Sequence, residues 1–293
     1  MKIDLDENIL VKGRYCLTGS KMLYNFKPPY SAAVVEKILK AGMFVAVKSL
    51  DNADAGLSLI FKNIKDGVNI KPTYGTVSRF GVIANASSMD SVRVNAKNLD
   101  DAFTVLSVIA GSDKNDPTLY PAEKYNYSPE NINISELKII ESPDFKLKDC
   151  LLPVEKIISS AEFSANISRF DGLNFGFRPE NYKNINELII DSRSECFDYQ
   201  TKFKALTGAY VLSEDNFEKY YLKAAKIRRL IKRELDGIFD NFDIIALPIE
   251  NLDIAEALIN LTGFPAVIIK DKILISKEFE ENKLYALGRS LEK

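Results

Sequence analysis

The stretch Lys71-Pro72-Thr73-Tyr74-Gly75-Thr76-Val77-Ser78-Arg79-Phe80-Gly81 decides the fold of this chain. Before it, Phe44–Val47 is a short apolar run that predicts a buried strand. Ahead of that run, Ser31–Lys40 places Val34, Ile38 and other apolar residues on one helical face. A helix followed at once by a short apolar strand is the unit of a sheet covered by helices. The sequence therefore predicts one α/β domain with a mixed, twisted β-sheet and helices on its faces.

The same alternation recurs further along the chain. Asn98 predicts the cap of a second helix, which Gly111 ends. Ser213 predicts the start of the longest helix, which runs to about Leu235 and stops at Gly237. Near the end, apolar runs at 264–269 and 273–276 flank a short polar turn, which is typical of two strands in a hairpin.

Composition excludes several classes of protein. The 293 residues include 39 Lys and Arg against 41 Asp and Glu, so no net positive charge would draw the chain to nucleic acid. There is no histidine, which excludes catalysis by Ser-His-Asp and any His-ligated zinc site. Cys16, Cys150 and Cys196 are widely spaced and form no metal motif. We expect a cytoplasmic protein that needs no cofactor and no metal and does not enter a membrane.

Three landmarks in order, Gly19–Tyr30, Lys71–Gly81 and Ser87–Asp90, together resemble the amidase signature family, most closely the A subunit of glutamyl-tRNA(Gln) amidotransferase. A later run, Ser160–Gly172, is similar to that subunit rather than to fatty-acid or peptide amidases. The resemblance extends from about Asp4 to the end of the chain. It implies a single amidase-type domain over residues 1–293. It also implies catalysis by a Lys, a Ser in a cis peptide and a nucleophilic Ser.

Departures from the family pattern fall on these catalytic positions. Asp6 stands where the resemblance places the Lys, and the segment that would hold the cis-Ser has no counterpart. Asp54–Ile60 resembles the nucleophile motif with Ser58 at the nucleophile position, but Leu57 replaces a glycine of the oxyanion-binding turn. A serine hydroxyl is a poor nucleophile until a base takes its proton. We therefore expect the catalytic segment to be deleted between about residues 50 and 58, and Ser58 to be a vestigial, inactive nucleophile.

The resemblance also implies substrate-binding positions. Lys204 stands in place of an Arg that would grip a substrate carboxylate, and Lys cannot reproduce the bidentate geometry. Asp253 keeps the residue type that receives a substrate amine. Glu155 and Lys156 replace a pair of tyrosines.

Our leading hypothesis is a non-catalytic, amidase-like protein that acts as a structural or regulatory partner in tRNA-dependent amidation. The alternative is a surviving amide hydrolase or glutaminase in which Asp6 or Lys48 activates Ser58. A third is the unselected remnant of a duplicated gene, against which the intact helix caps and strand patterns argue.

The sequence offers two candidate contact surfaces. The apolar run Leu57–Phe61 beside the deletion should lie exposed, and we expect a homodimer or an amidotransferase-type subunit to cover it. Lys226, Arg229 and Arg233 share one face of the long helix and could contact tRNA phosphates, although a solvated helix face explains them as well.

Overall fold

In a computed structural model of the chain, the structure describes residues 1–16, 18, 20–47, 53–61, 67–127, 132–174 and 176–292. The described strands are β1 Lys2–Leu5, β2 Phe44–Val47, β3 Ala55–Ser58, β4 Val68–Lys71, β5 Arg93–Ala96, β6 Ile139–Glu141, β7 Ile244–Pro248, β8 Ala266–Ile269 and β9 Lys272–Ser276. They form a mixed sheet in the order β2-β1-β3-β5-β4-β8-β9-β7-β6. The predicted α/β class and mixed sheet are confirmed.

The described helices are α1 Ala33–Lys40, α2 Leu99–Ile109, α3 Leu151–Ile167, α4 Ile185–Cys196, α5 Tyr199–Leu212, the single turn α6 Glu214–Asn216, α7 Lys223–Phe239, α8 Leu252–Thr262 and α9 Glu281–Glu292. A π-helical turn, Phe217–Leu222, joins α6 to α7. No described helix is both long enough and apolar enough to cross a membrane.

Apolar residues cover both faces of the sheet. Successive residues of β8 belong to different clusters. Val267 packs in the cluster that holds α1, α2 and α9, and Ile268 packs in the one that holds α3, α7 and α8. Successive side chains of a strand point to opposite faces, so this alternation shows that helices lie on both sides of the sheet.

Several local predictions are confirmed, and one is wrong. The Asn98 side chain accepts from Asp101 N and caps α2, while β8 and β9 pair as an antiparallel hairpin. Helix α7, however, continues past Gly237 to Phe239. Glycine lowers helix propensity by only about 1 kcal/mol, and the buried side chains of Leu235 and Phe239 on either side offset that cost.

The sheet runs without a break through the region of the expected deletion. Strand β3 pairs with β1 in parallel and with β5 in antiparallel, so the expectation of an intact sheet is confirmed here. The predicted exposure of Leu57 is wrong, because its side chain is 2% exposed in the core. Leu59 and Phe61 also pack partly against the core, and only Ile60 of this run projects, with 57% exposure.

A buried lysine sits at the end of β4, at the start of the stretch that decides the fold. Lys71 is 0% exposed, and its Nζ donates to Phe264 O at 3.0 Å. Glu281, at the start of α9, is also buried and accepts from Thr73 N at 2.7 Å and from the Tyr127 hydroxyl at 3.2 Å. Burial lowers the pKa of Lys71 to about 7 and raises the pKa of Glu281.

Lys71 should give the stability of the protein a pH dependence. Its ordinary pKa is 10.5 and its folded pKa is about 7, so between these values the unfolded chain binds the additional proton. The free energy of unfolding should therefore rise by about 2 kcal/mol from pH 7 to pH 9 through this group. This contribution is complete only above pH 10.5, decreases progressively as the pH falls from 10.5 towards 7, and is gone below about pH 7.

Urea denaturation at both pH values should show this rise in the wild type and in Lys40→Met, which alters an exposed lysine of α1, but not in Lys71→Met. Equal pH dependence in all three proteins would contradict the assignment.

Gly208 sets how closely α5 can approach α3. A Cβ added at Gly208 would lie 2.0 Å from Ser160 O. We expect Gly208→Ala to destabilise the protein by about 1–3 kcal/mol through overpacking. Gly237 of α7 is the matched control, because an added Cβ there meets nothing within 4 Å. Gly237→Ala should raise the free energy of unfolding by up to about 1 kcal/mol. Denaturation midpoints that move in the same direction in both variants would contradict the close approach.

Candidate functional site

A cavity of about 690 Å³ opens between the sheet and the helices α3, α5 and α8. Most of the positions singled out in the sequence line it, namely Asp6, Glu155, Lys156, Lys204 and Asp253. Its size falls in the range of small-molecule sites. The structure therefore brings together residues that are distant in sequence and that were selected one by one.

Both charge signs are present in this cavity. Lys204 of α5 donates to Asn85 Oδ1 at 3.1 Å and lies 4.8 Å from the centre of the Phe163 ring. Burial lowers the pKa of Lys204, which the nearby Glu155 carboxylate partly offsets. Burial also raises the pKa of Glu155, and Glu256 adds to that rise. Asp253 lies exposed in the first turn of α8, where a carboxylate suits the helix dipole.

Ser58 is not among the residues that line the cavity. Its side chain is 0% exposed at the end of β3. The hydroxyl donates to Ile60 O at 2.6 Å and accepts from Asn95 Nδ2 at 2.7 Å. The proton that a base would have to remove is thus already donated in a hydrogen bond to a backbone carbonyl. Lys48, the other base considered, lies outside the described residues.

Arg93 is the residue of this site that sequence reasoning missed. It pairs with Ser58 in the register of β3 and β5, lines the cavity, and is 2% exposed. Its guanidinium donates to Glu256 Oε1 at 2.7 Å and to Asn260 Oδ1 at 3.1 Å, and it lies 4.1 Å from the centre of the Phe61 ring. The available signal was a charged residue between Val92 and Val94 in a strand, because such a charge needs a partner.

The basic stripe on α7 is exposed as expected, but it is short. Lys226, Arg229 and Arg233 are exposed. Arg228 beside them is instead engaged, since it donates to Leu261 O and to the hydroxyl and carbonyl of Ser88. Lys232 pairs with Asp236 and Glu278.

A family model described as Amidase matches residues 68–141 and 135–257. A relative from Clostridium botulinum, named as the A subunit of glutamyl-tRNA(Gln) amidotransferase, is 30% identical over 84% of this chain and 67% of its own length. The chain belongs to the amidase family. A Clostridium acetobutylicum relative, named as the second A subunit of the same amidotransferase, is 28% identical over 99% of this chain and 84% of the relative.

Solved structures agree on the fold of this amidase-family chain. The peptide amidase of Stenotrophomonas maltophilia superimposes with a TM-score of 0.78 at 15% identity, and it covers 100% of this chain and 82% of its own. The A subunit of glutamyl-tRNA(Gln) amidotransferase from Thermotoga maritima gives a TM-score of 0.68 at 20% identity, over 99% of this chain and 82% of its own.

Length separates this amidase-family chain from its relatives. The match to the Clostridium acetobutylicum protein extends over 401 residues, whereas this chain has 293. More than a hundred positions of that match therefore have no counterpart here. The match to the family model begins at residue 68 of this chain, which is C-terminal to Ser58.

Burial of Ser58 can be tested by its access to reagents. A thiol introduced by Ser58→Cys should resist iodoacetamide in the native protein, because the site is sealed, and should react at once in urea. Ile60→Cys is the control, since that side chain is 57% exposed two residues away and should react in the native state. Peptide mass spectrometry separates these thiols from the three natural cysteines. Equal native rates at the two positions would contradict the burial.

Proposed function

We propose that this chain is a non-catalytic member of the amidase family that acts as a structural or regulatory partner, in an assembly of the type that its relatives' name describes, a glutamyl-tRNA(Gln) amidotransferase. One observation carries the proposal: Ser58 is buried away from the cavity, and its hydroxyl is hydrogen-bonded to Ile60 O and to the Asn95 side chain. Nucleophilic catalysis needs this hydroxyl to reach a substrate carbonyl and to give its proton to a base. The Asn95 amide at 2.7 Å donates and cannot accept that proton.

The charge pair beside Ser58 supports the same conclusion. The buried Arg93 occupies the position opposite Ser58 in the sheet register and pairs with Glu256 of α8. Removing Glu256 would leave the buried Arg93 charge without its carboxylate partner, so this ion pair stabilises the start of β5. We infer that this pair stabilises a site in which the catalytic segment has been deleted, and the shorter length of the chain is consistent with that deletion.

The cavity remains suited to bind a ligand without catalysing its reaction. Lys204 and Asp253 line the same cavity with opposite charges, and apolar side chains such as Met89 and Phe170 line it between the charged groups. We propose that Lys204 meets the carboxylate and Asp253 the amine of an amino acid. Such a ligand would regulate the assembly by occupying the cavity and would not itself react there.

One experiment tests catalysis and binding together. L-glutamine labelled with ¹⁵N at its side-chain amide is titrated with the protein and followed by NMR, which reports both bound ligand and released ammonia. We expect binding with no ammonia above the protein-free background, and the same result for Ser58→Ala. Ammonia release that Ser58→Ala abolishes would overturn the proposal and favour the surviving hydrolase.

The variants Lys204→Met and Asp253→Asn should each weaken glutamine binding about tenfold, because each removes a charge-assisted hydrogen bond. Lys202→Met is the matched control, since Lys202 lies on the same helix, is exposed, and does not line the cavity. Equal weakening in all three variants would refute the assigned roles.

Affinity purification of the tagged chain from its native cell tests the assembly, and recovery without any other amidotransferase component would count against a partner role.

A further inference from the structure

Helix α5 carries an uncovered apolar stripe on the side away from α3. Tyr199, Phe203, Leu206 and Tyr210 are 79%, 61%, 70% and 57% exposed. Their spacing of four, three and four residues is that of the a and d positions of a coiled-coil heptad. The stripe therefore has the pattern of a helix that packs against another helix.

The rest of α5 agrees with that heptad. With Phe203 at position a, Gly208 falls at position f, which faces away from an a/d seam. Gly208 is indeed the buried residue against α3. Lys204, at position b, lines the cavity. The α5 helix thus meets the core with one side and presents a separate seam to solvent.

Ring contacts occur at both ends of the stripe. The rings of Tyr199 and Phe203 stack with centres 6.2 Å apart, and the ring of Tyr210 lies 5.9 Å from that of Tyr220 in the π-helical turn. Taking roughly 200 Å² for each full side chain, the four residues expose on the order of 500 Å². That area is near the upper end of the largest apolar patches on monomers, which reach about 600 Å².

We propose that this stripe, which we call the α5 seam, is a homodimer interface in which α5 packs antiparallel against α5 of a second copy. Two copies would bury about 1,000 Å² in total, which reaches the lower limit for a specific interface and favours weak, concentration-dependent association. A twofold axis makes such a contact self-complementary, and antiparallel helix dipoles attract each other.

The charges that flank the seam permit this pairing. Positions e and g of the heptad are Gln200, Thr207, Lys202 and Ala209. Antiparallel pairing with the aromatic and leucine layers aligned places Lys202 opposite Ala209 of the second copy and Gln200 opposite Thr207. No like charges meet at these e and g positions, so the flanks of the seam do not repel a second copy of this chain.

This interface does not rest on the proposed function, because the residues of the α5 seam lie outside the cavity lining. It also moves the predicted homodimer surface from the run Leu57–Phe61, which is largely buried, to α5.

Sedimentation velocity of the full chain, from about 1 µM to about 200 µM, tests the proposal. We expect a monomer–dimer equilibrium in the wild type and a monomer throughout for Leu206→Glu. Leu39→Glu on α1 is the matched control, since Leu39 is also half exposed, and it should still dimerise. Circular dichroism confirms that both variants are folded. A wild type that stays monomeric at the highest concentration, including one that binds a different protein through this stripe, overturns the proposal.

A second variant tests the orientation of the helices. Ala209→Glu places a carboxylate opposite Lys202 of the other copy only if the helices are antiparallel, and this creates two symmetric ion pairs. We expect dimerisation to tighten roughly threefold at low salt, and the gain to vanish at high salt. Ala209→Lys should weaken it by a similar factor. If Ala209→Glu weakens the dimer or leaves it unchanged, the antiparallel arrangement is wrong.

Discussion

The burial of two ionisable side chains, Lys71 at the end of β4 and Glu281 at the start of α9, is the constraint on which the rest of the structure depends. Lys71 and Glu281 are both almost fully shielded from water, and neither charge could be buried unless backbone partners were already in place. Lys71 holds Phe264 O, and Glu281 holds Thr73 N and the Tyr127 hydroxyl. These few hydrogen bonds tie the centre of the sheet to the loop after α8, to the start of α9 and to the long connection after α2. Segments far apart in sequence are therefore fixed together at one point.

The cavity follows from this arrangement. Phe264 comes directly after α8, so a bond from Lys71 to its carbonyl fixes the end of the helix that carries Asp253 and Glu256. Glu256 then meets Arg93, which the register of β3 and β5 places beside Ser58. Strand β5 therefore presents Arg93 to the cavity, where it pairs with Glu256 of α8, while Ser58 of β3 does not line the cavity. The scaffold of an amidase is thus compatible with a site in which the serine is enclosed by the sheet.

Sequence patterns predicted those features that depend on local chemistry. Asn98 caps α2 because its side chain satisfies a free N–H of the first turn, and the hairpin of β8 and β9 follows from two apolar runs with a polar turn between them. Features that depend on tertiary contacts could not be found in this way. Gly237 is a stop signal that buried neighbours override. Leu57 was expected at the surface because it lies in an apolar run beside the expected deletion, whereas the pairing of β3 with two strands places it in the core. Cavity residues from α3, α5 and α8 could be selected singly by resemblance, but their meeting, and the role of Arg93, required the fold.

Helix α5 shows why amphipathic patterning alone misreads this chain. Gly208 and Val211 are buried on one side, while Tyr199, Phe203 and Leu206 project on the other, so apolar residues surround much of the helix. A helix that is apolar all round normally lies inside a protein. Here the core covers only the side that carries Gly208, which packs so closely against α3 that an added Cβ would lie 2.0 Å from Ser160 O. The opposite side keeps the residue spacing of a packed helix and is largely exposed, although the ring of Tyr210 lies 5.9 Å from that of Tyr220. In the proposed dimer, α5 of the second copy covers this side, since a twofold axis makes the contact self-complementary and Lys202 is the single charge among the e and g positions of each helix.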